Sequence, residues 1–278
     1  MKLLATLDKT LAPLRNKDKK ESMHNPYIAT LNKFRKTMKR VRSKRFYETL
    51  SFAARASRSY GYTDSHSSSM HSIMALPDAT DDIIEPSVAS ILGNPDYFAP
   101  LLVPLKHLSI DEGWWLDGML RGSSFASVFD LLATDGKTSE FPFVHHVHLD
   151  GSAESVWEAH LLRIGGDMLY RGRHAGYGDF RIITSYDTLA AETKGMSVGI
   201  IIPIKKVIEE IGERSRELER WDFTPTVEAS DTQGVVTFCI YSPFGGFKKI
   251  KETLRIAPFE RIAMETVAEI PYECEVYF

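Results

Sequence analysis

The sequence is poor in cysteine and contains no long apolar run. Among its 278 residues are two cysteines, Cys239 and Cys274, too few to staple a chain of this length. The longest apolar stretch, Val198–Ile204, is too short to cross a bilayer. The N-terminal apolar run is too interrupted for a signal peptide. These absences predict a protein of the cytoplasm or of a viral particle, with no membrane partner and no secretion by signal peptide.

Motifs for catalysis and for phosphate binding are also lacking. The glycine-rich stretches RGRHAGYGD and PFGGFKK do not have the spacing, or the following Lys-Ser/Thr, of a phosphate loop. Ser123-Ser124 is not flanked by the glycines of a nucleophile elbow. The sequence therefore predicts no cofactor, and it favours a non-enzymatic protein while leaving catalytic activity open.

Basic residues are scarce between Ser59 and His160, yet they are abundant just before that segment. Residues Arg15–Arg58 hold fourteen Lys or Arg and three acids, a net charge of +11. Residues Ser59–His160 hold three basic residues and fifteen acids, a net charge of −12, although the whole chain carries only −3. This separation indicates a basic segment that contacts a polyanion or an acidic protein surface.

The basic segment predicts a single helix from Pro26 to about Ala56, with Asn25 as its N-cap. An apolar stripe at helical spacing consists of Tyr27, Leu31, Phe34, Met38 and Val41. The residues predicted to bind nucleic acid or a partner subunit are Lys33, Arg35, Lys36, Lys39, Arg40, Arg42, Lys44 and Arg45. Aromatic residues that follow the helix suit stacking on bases, but an acidic protein surface explains the charge equally well.

Downstream, the pattern predicts short helices near Glu85–Leu92 and Leu116–Leu132. From Phe141 the sequence pattern has a period of two residues, which predicts strands. The expected hairpins join PFVHHVHL to VWEAHLLRI across Asp150-Gly151, and TVEAS to VVTFCIY across Asp231–Gly234. RIAMETVAEI is expected to pair with YECEVYF, and Pro203–Trp221 is the clearest amphipathic helix.

The order of these elements predicts an α+β protein. Residues 1–72 form a basic helical arm and a polar linker in this interpretation. Residues 73–278 form an α+β body, β-rich from about residue 141, with an antiparallel sheet or sandwich and one long inserted helix.

A dense group of ligand-type side chains, HHVHLD, spans His145–Asp150. In a strand His146, His148 and Asp150 would share one face and could bind Zn²⁺ or Fe²⁺, with His160 and His174 nearby. HVHLDGS resembles the first metal motif of adenosine deaminase-type amidohydrolases, in which the two histidines would be ligands. However, Tyr177 stands where an acid should follow His174-Ala175-Gly176, and too little chain follows for that family's barrel. The sequence therefore does not predict membership of this family.

These observations favour a structural protein that assembles with copies of itself or with other subunits. Its basic arm would contact nucleic acid or an acidic neighbour, as in a viral capsid or head-to-tail connector. The first alternative is a metal-dependent hydrolase that uses His146, His148 and Asp150. The second is a nucleic-acid-binding regulator. If the arm is separate from the body, deletion of residues 1–58 should leave the body folded.

Overall fold

The computed structural model describes residues 25–56, 87–121, 128–140, 143–169, 181–185, 220–242 and 246–270. The described helices are α1 (Pro26–Val41), α2 (Lys44–Ala56), α3 (Val88–Leu92) and α4 (Ala153–Asp167). The described strands are β1 (Leu108–Ile110), β2 (Trp115–Arg121), β3 (Val128–Thr134), β4 (Ser139–Glu140), β5 (Val147–Leu149), β6 (Arg181–Ile183), β7 (Thr226–Ala229), β8 (Gln233–Ser242), β9 (Gly246–Arg255) and β10 (Glu260–Ile270). None of the described helices is both long and apolar enough to cross a membrane.

The strands form antiparallel sheets, and the part of the chain that the structure describes has few helices, which confirms an α+β fold. One sheet has the order β2-β3-β4, and β1 pairs with β5 in a second. The largest runs β10-β9-β8-β6, with β7 also paired to β8. The hairpin predicted across Asp231–Gly234 is confirmed, because Ala229 pairs with Gly234 at the start of β8.

The basic helix begins as predicted but is divided in two. The Asn25 side chain accepts hydrogen bonds from the backbone N–H groups of Tyr27 and Ile28, at 2.9 and 3.2 Å. The prediction of one helix to Ala56 is wrong, because α1 ends at Val41. Ser43 then caps α2, since its hydroxyl accepts a hydrogen bond from the backbone N–H of Phe46 at 3.2 Å.

The hairpin predicted across Asp150-Gly151 is wrong, because VWEAHLLRI lies in α4. The Ser152 hydroxyl accepts a hydrogen bond from the backbone N–H of Ser155 at 3.1 Å and caps this helix. Residues 155–162 are buried without interruption, so α4 has no exposed face to set a helical period in its sequence. The helix contacts β3 of one sheet and β7 and β8 of another, and it lies between them.

The helix predicted over Leu116–Leu132 is also wrong, because strands β2 and β3 occupy this segment. The short helix predicted near Glu85–Leu92 is confirmed as Val88–Leu92. RIAMETVAEI forms β10 and pairs with β9, whereas YECEVYF lies outside the described residues. The same is true of most of the helix predicted at Pro203–Trp221, and of the linker that would divide arm from body at residue 72.

The hydrophobic core is continuous from the N-terminal helices to the large sheet. Its buried members come from α1, α2, α3, β3, α4, β8 and β9. Among them are Leu31, Phe34, Phe46, Leu50, Phe98, Phe129, Trp157, Phe238 and Leu254. The apolar stripe of the basic helix therefore packs inside the same core as the sheets.

Gly118 on β2 provides a direct test of this packing. A Cβ atom at this position would lie 2.0 Å from Cζ of Phe129 on the paired strand. The Phe129 ring cannot retreat, because it is fully buried and its centroid lies 5.9 Å from that of Phe46 and 5.4 Å from that of Phe98. We expect Gly118→Val to lower the free energy of unfolding by about 1–3 kcal/mol or more, measured by urea denaturation.

A double variant separates this steric conflict from a general loss of strand stability. Phe129→Leu removes part of the ring that meets the new side chain, so the two substitutions together should cost less than their sum. A Gly118→Val protein with wild-type stability, or strictly additive losses, would show that Phe129 does not fill the space above this glycine.

Candidate functional site

Half of the predicted cationic residues on α1 and its C-cap lie on the flank that borders the core, where Arg35 and Arg42 are half-buried and Lys39 is exposed. Arg35, Lys39 and Arg42 follow one another at spacings of four and three residues, which places them along one flank of the helix. Lys33, Lys36 and Arg40 lie on the opposite, exposed face. The predicted binding residues therefore divide between a surface and a recess.

The recess is a cavity of about 530 Å³ between α1, the start of α2, α4 and β6, which we call the cationic pocket. Its floor is apolar and is formed by Leu31, Phe34, Met38, Leu161, Ile164, Gly165, Met168 and Ile182. Its polar side chains are Arg35, Lys39, Arg42, Arg181 and Tyr47. Among the described residues that line it, four are cationic and none is acidic.

Two local interactions hold the arginines at the wall of the cationic pocket. Arg35 Nη2 donates a hydrogen bond to the backbone carbonyl of Ile182, which links α1 to β6. Arg42 Nε donates to the hydroxyl of Tyr47, and the guanidinium carbon lies 5.5 Å from the centroid of that ring. The first contact ties Arg35 to β6, and the second orients the guanidinium group of Arg42 at the start of α2.

Close approach of α1 and α4 depends on a glycine in the pocket floor. A Cβ atom on Gly165 would lie 2.5 Å from Cε1 of Phe34. The absence of a side chain here allows α1 to pack closely against α4.

The remaining predicted cations at the start of α2 have local partners. Lys44 Nζ lies 3.5 Å from Glu48 Oε1, and both side chains are exposed, so the pair contributes little stability. Arg45 Nη2 donates a hydrogen bond to the carbonyl of Leu92 at 2.9 Å and ties α2 to the end of α3. Arg45 therefore has a structural contact as well as a charge.

His146 and His148 meet at a carboxylate that the sequence analysis did not single out. Asp111 accepts hydrogen bonds from Nδ1 of His146 at 2.9 Å and from Nε2 of His148 at 2.5 Å. His146 Nε2 lies 3.1 Å from Glu140 Oε2, and its ring stacks on Trp114 with centroids 3.4 Å apart. The hydrogen bonds from His148 and His146 lower the pKa of Asp111.

Asp150 takes part in a different group of contacts. It accepts hydrogen bonds from Nδ1 of His107 at 2.7 Å and from the backbone N–H of Ser152 at 2.9 Å. Hydrogen bonds from Ser152 and then from His107 hold the pKa of Asp150 far below its usual range, and the bond to Asp150 raises the pKa of His107. Among the residues that the structure describes, no three His, Cys, Asp or Glu side chains are arranged to hold a metal ion.

His160, expected near this group, lies instead on α4 in the core. It is fully buried, and its Nδ1 lies 2.9 Å from Oε2 of Glu252 on β9. Arg163 Nη2 approaches the same oxygen at 2.5 Å. Burial lowers the pKa of His160. Burial opposes ionisation of Glu252 as well, but the contacts with His160 and Arg163 outweigh it and lower that pKa to about 2.

Part of the cationic pocket could have been found from the sequence. Arg35, Lys39 and Arg42 run parallel to the apolar stripe, a pattern that indicates cations beside a buried face. Met168 and Arg181 carried no such indication, because packing alone brings the end of α4 and β6 to this place. Comparison with family models, curated proteins and solved structures found no match to the chain, so its function must be argued from these sites.

Proposed function

We propose that the chain is a subunit of a larger assembly that associates with copies of itself through β10. The observation that supports this is the exposure of an apolar strand. Residues 260–267 of β10 are all exposed, and because side chains alternate along a strand, both of its faces meet solvent. Three large apolar side chains on it are about half exposed or more: Ile262 at 44%, Met264 at 58% and Val267 at 53%.

The backbone edge of β10 supports the same proposal. β10 pairs with β9 on one side, and within the described part of the chain no strand pairs with its other edge. A long exposed edge with apolar side chains is a template for pairing with another strand. Antiparallel pairing of this edge with the β10 edge of a second copy would give a two-fold contact between identical copies.

The exposed face of α1 would serve a second contact in this assembly. Lys33, Lys36 and Arg40 present three cations to solvent, which suits an acidic surface of a neighbouring subunit, with nucleic acid as the alternative partner. A particle component built from many copies, such as a capsid protein or a connector, is the most concrete form of the proposal. The hydrolase alternative has less support, because Asp150 contacts His107, whereas His146 and His148 contact Asp111.

Mass in solution tests the role of β10. We expect the wild-type chain to form a dimer or larger species by light scattering, and we expect Met264→Lys/Val267→Lys to be monomeric at the same concentration. The substitutions remove apolar surface from the contact and add like charges that repel across it. Both side chains are more than half exposed, so the melting temperature should stay close to that of the wild type.

Val103→Lys provides the matched control, because Val103 is 76% exposed and lies outside β10. This variant should keep the wild-type mass. Salt distinguishes the contact through β10 from the contact through α1. Ions screen the attraction between charged surfaces, but they do not weaken an association that buries apolar strands. A monomeric wild-type protein, or a double variant that keeps its mass, would contradict the proposal.

A further inference from the structure

We infer that β10 of one copy pairs with β10 of a second copy about a two-fold axis that passes between Met264 and Glu265. This inference rests on the proposed function, and it adds the register of the contact and the reason why the partner is an identical strand. The observation that supports it is the irregular pairing of β10 with β9.

The pairing register of β10 against β9 shifts twice, once at Ile262 and once at Val267, because neither residue is paired with a residue of β9. Each is therefore the extra residue of a β-bulge, and a bulge bends the strand that carries it. Between the two bulges, residues 263–266 pair with successive residues of β9. The strand thus bends at two places, and the regular stretch between them is centred between Met264 and Glu265.

The two bends restrict which strand can follow the outer edge of β10. A straight strand would lose backbone hydrogen bonds at each bend, and bulges protect many sheet edges from unrelated strands in this way. A second copy of β10 bends at the same two residues. When it runs antiparallel to the first, both bends coincide in one register alone, the register that places Ile262 of each copy opposite Val267 of the other. The shape of the edge therefore favours an identical strand.

The same register brings exposed apolar side chains together. Ile262 is 44% exposed and Val267 is 53% exposed in the single chain. Directly opposite residues of an antiparallel pair point to the same face, so these two side chains would contact each other, and the two-fold symmetry repeats the contact. Met264, which is 58% exposed, would lie beside the axis. Burial of this apolar surface stabilises the pair of strands.

The ends of the contact bring two acidic residues together, since Glu260 would lie opposite Glu269 of the second copy. Like charges in this position destabilise a sheet. However, both carboxylates have a cation within their own chain. Arg255 Nη1 lies 2.7 Å from Glu260 Oε2, and Lys248 Nζ lies 2.9 Å from Glu269 Oε1. These cations offset the repulsion, so the acidic ends are compatible with the register.

Disulfide cross-linking between two variants tests the register on the full chain. Directly opposite residues of an antiparallel pair have Cα atoms about 4.5–5.5 Å apart, a separation that a disulfide spans. We expect an equimolar mixture of Ile262→Cys and Val267→Cys to form a covalent dimer on mild oxidation. Either variant alone should give no more than the wild-type chain, because identical positions would lie about 17 Å apart along the strands. The wild-type chain measures any cross-linking through its own cysteines.

A mixture of Ile262→Cys with Glu265→Cys is the matched control, because a register shifted by two residues would place these positions opposite each other. It should give less covalent dimer than the mixture of Ile262→Cys with Val267→Cys. All three side chains are exposed, so the variants should fold.

Mass in solution keeps this test separate from the test of the proposed function. If the wild-type chain and the variants are dimeric but the mixture of Ile262→Cys with Val267→Cys does not cross-link, the register is wrong and association through β10 still stands. Stronger cross-linking in the control mixture, or in either variant alone, would overturn the register as well. A monomeric wild-type chain would contradict the proposed function, and the register with it.

Discussion

Replacement of Glu252 by alanine is expected to lower the free energy of unfolding by about 3–5 kcal/mol, since it leaves the largely buried guanidinium group of Arg163 without its partner. Glu252 is 2% exposed, and its carboxylate contacts His160 at 2.9 Å and Arg163 at 2.5 Å. Arg261 lies 3.7 Å from the other carboxylate oxygen. The substitution removes the carboxylate that all three of these side chains contact. Urea denaturation with the linear extrapolation measures the loss.

The exposed pair between Arg255 and Glu260 is the matched control. Its atoms are 2.7 Å apart, but both side chains are about half exposed. Glu260→Ala should therefore change the free energy of unfolding by no more than about 1 kcal/mol, since solvent screens an exposed pair. Equal losses from Glu252→Ala and Glu260→Ala would show that burial of the Glu252 cluster does not matter.

The same cluster predicts a dependence of stability on pH. The pKa of Glu252 falls from 4.5 to about 2 on folding, so its contribution is present above pH 4.5 and is lost as the pH falls towards 2. The pKa of His160 falls below 6.5 on folding, because burial disfavours the charged ring. The unfolded chain then binds more protons below pH 6.5, and stability should decline from that pH downward. In Glu252→Gln the loss between pH 4.5 and 2 should become smaller, and the part that remains belongs to other carboxylates with lowered pKa values, such as Asp111 and Asp150.

The sequence could predict elements whose ends are defined locally. Asn25-Pro26 specifies the start of α1, and the polar residues from Asp231 to Gly234 specify the turn between β7 and β8. Both depend on a few neighbouring residues, whose side chains or turn conformations act within a single turn of chain. Capping by Ser43 was equally local but was missed, because the basic and apolar pattern runs on through the break.

The sequence could not predict α4, for a physical reason. A helix that is buried on every side has no polar face, so its residues show no period of 3.6 and can be mistaken for a buried strand. Two polar residues of this helix, Glu158 and His160, are buried and contact groups distant in sequence. Glu158 accepts a hydrogen bond from the backbone N–H of His107 at 2.6 Å. Burial raises the pKa of Glu158.

The candidate site was accessible from the sequence only in part, because two of its walls come from distant segments. The flank of α1 with Arg35 and Lys39 could be derived from helical spacing. The contribution of Arg181 required knowledge that β6 pairs with the end of β8, across a long separation in sequence. Likewise Asp111 was not linked to His146 and His148, since pairing of β1 with β5 brings them together.

Burial of the stripe on α1 reverses the expectation for deletion of residues 1–58. Leu31, Phe34, Val41, Phe46 and Leu50 are each at most 4% exposed and belong to the common core. Full burial of each such side chain contributes about 1.5–3 kcal/mol, whereas an entire domain is stable by about 5–15 kcal/mol. Their removal would leave the opposite core surfaces exposed.

We therefore expect the chain that lacks residues 1–58 to lose its cooperative thermal transition and its near-ultraviolet circular dichroism. The deletion also removes two hydrogen bonds from the body to α1. Trp157 Nε1 donates to the carbonyl of Tyr27 at 2.9 Å, and the Tyr97 hydroxyl donates to the carbonyl of Val41 at 2.8 Å. Leu31→Ala should destabilise the same core without removing the helix, and it should lower the free energy of unfolding by about 2–5 kcal/mol, measured by urea denaturation. Lys36→Ala, on the exposed face of the same helix, should stay within about 0.5 kcal/mol of the wild type. If the shortened chain instead melts cooperatively near the wild-type temperature, the basic helix is a separable arm and the core closes without it.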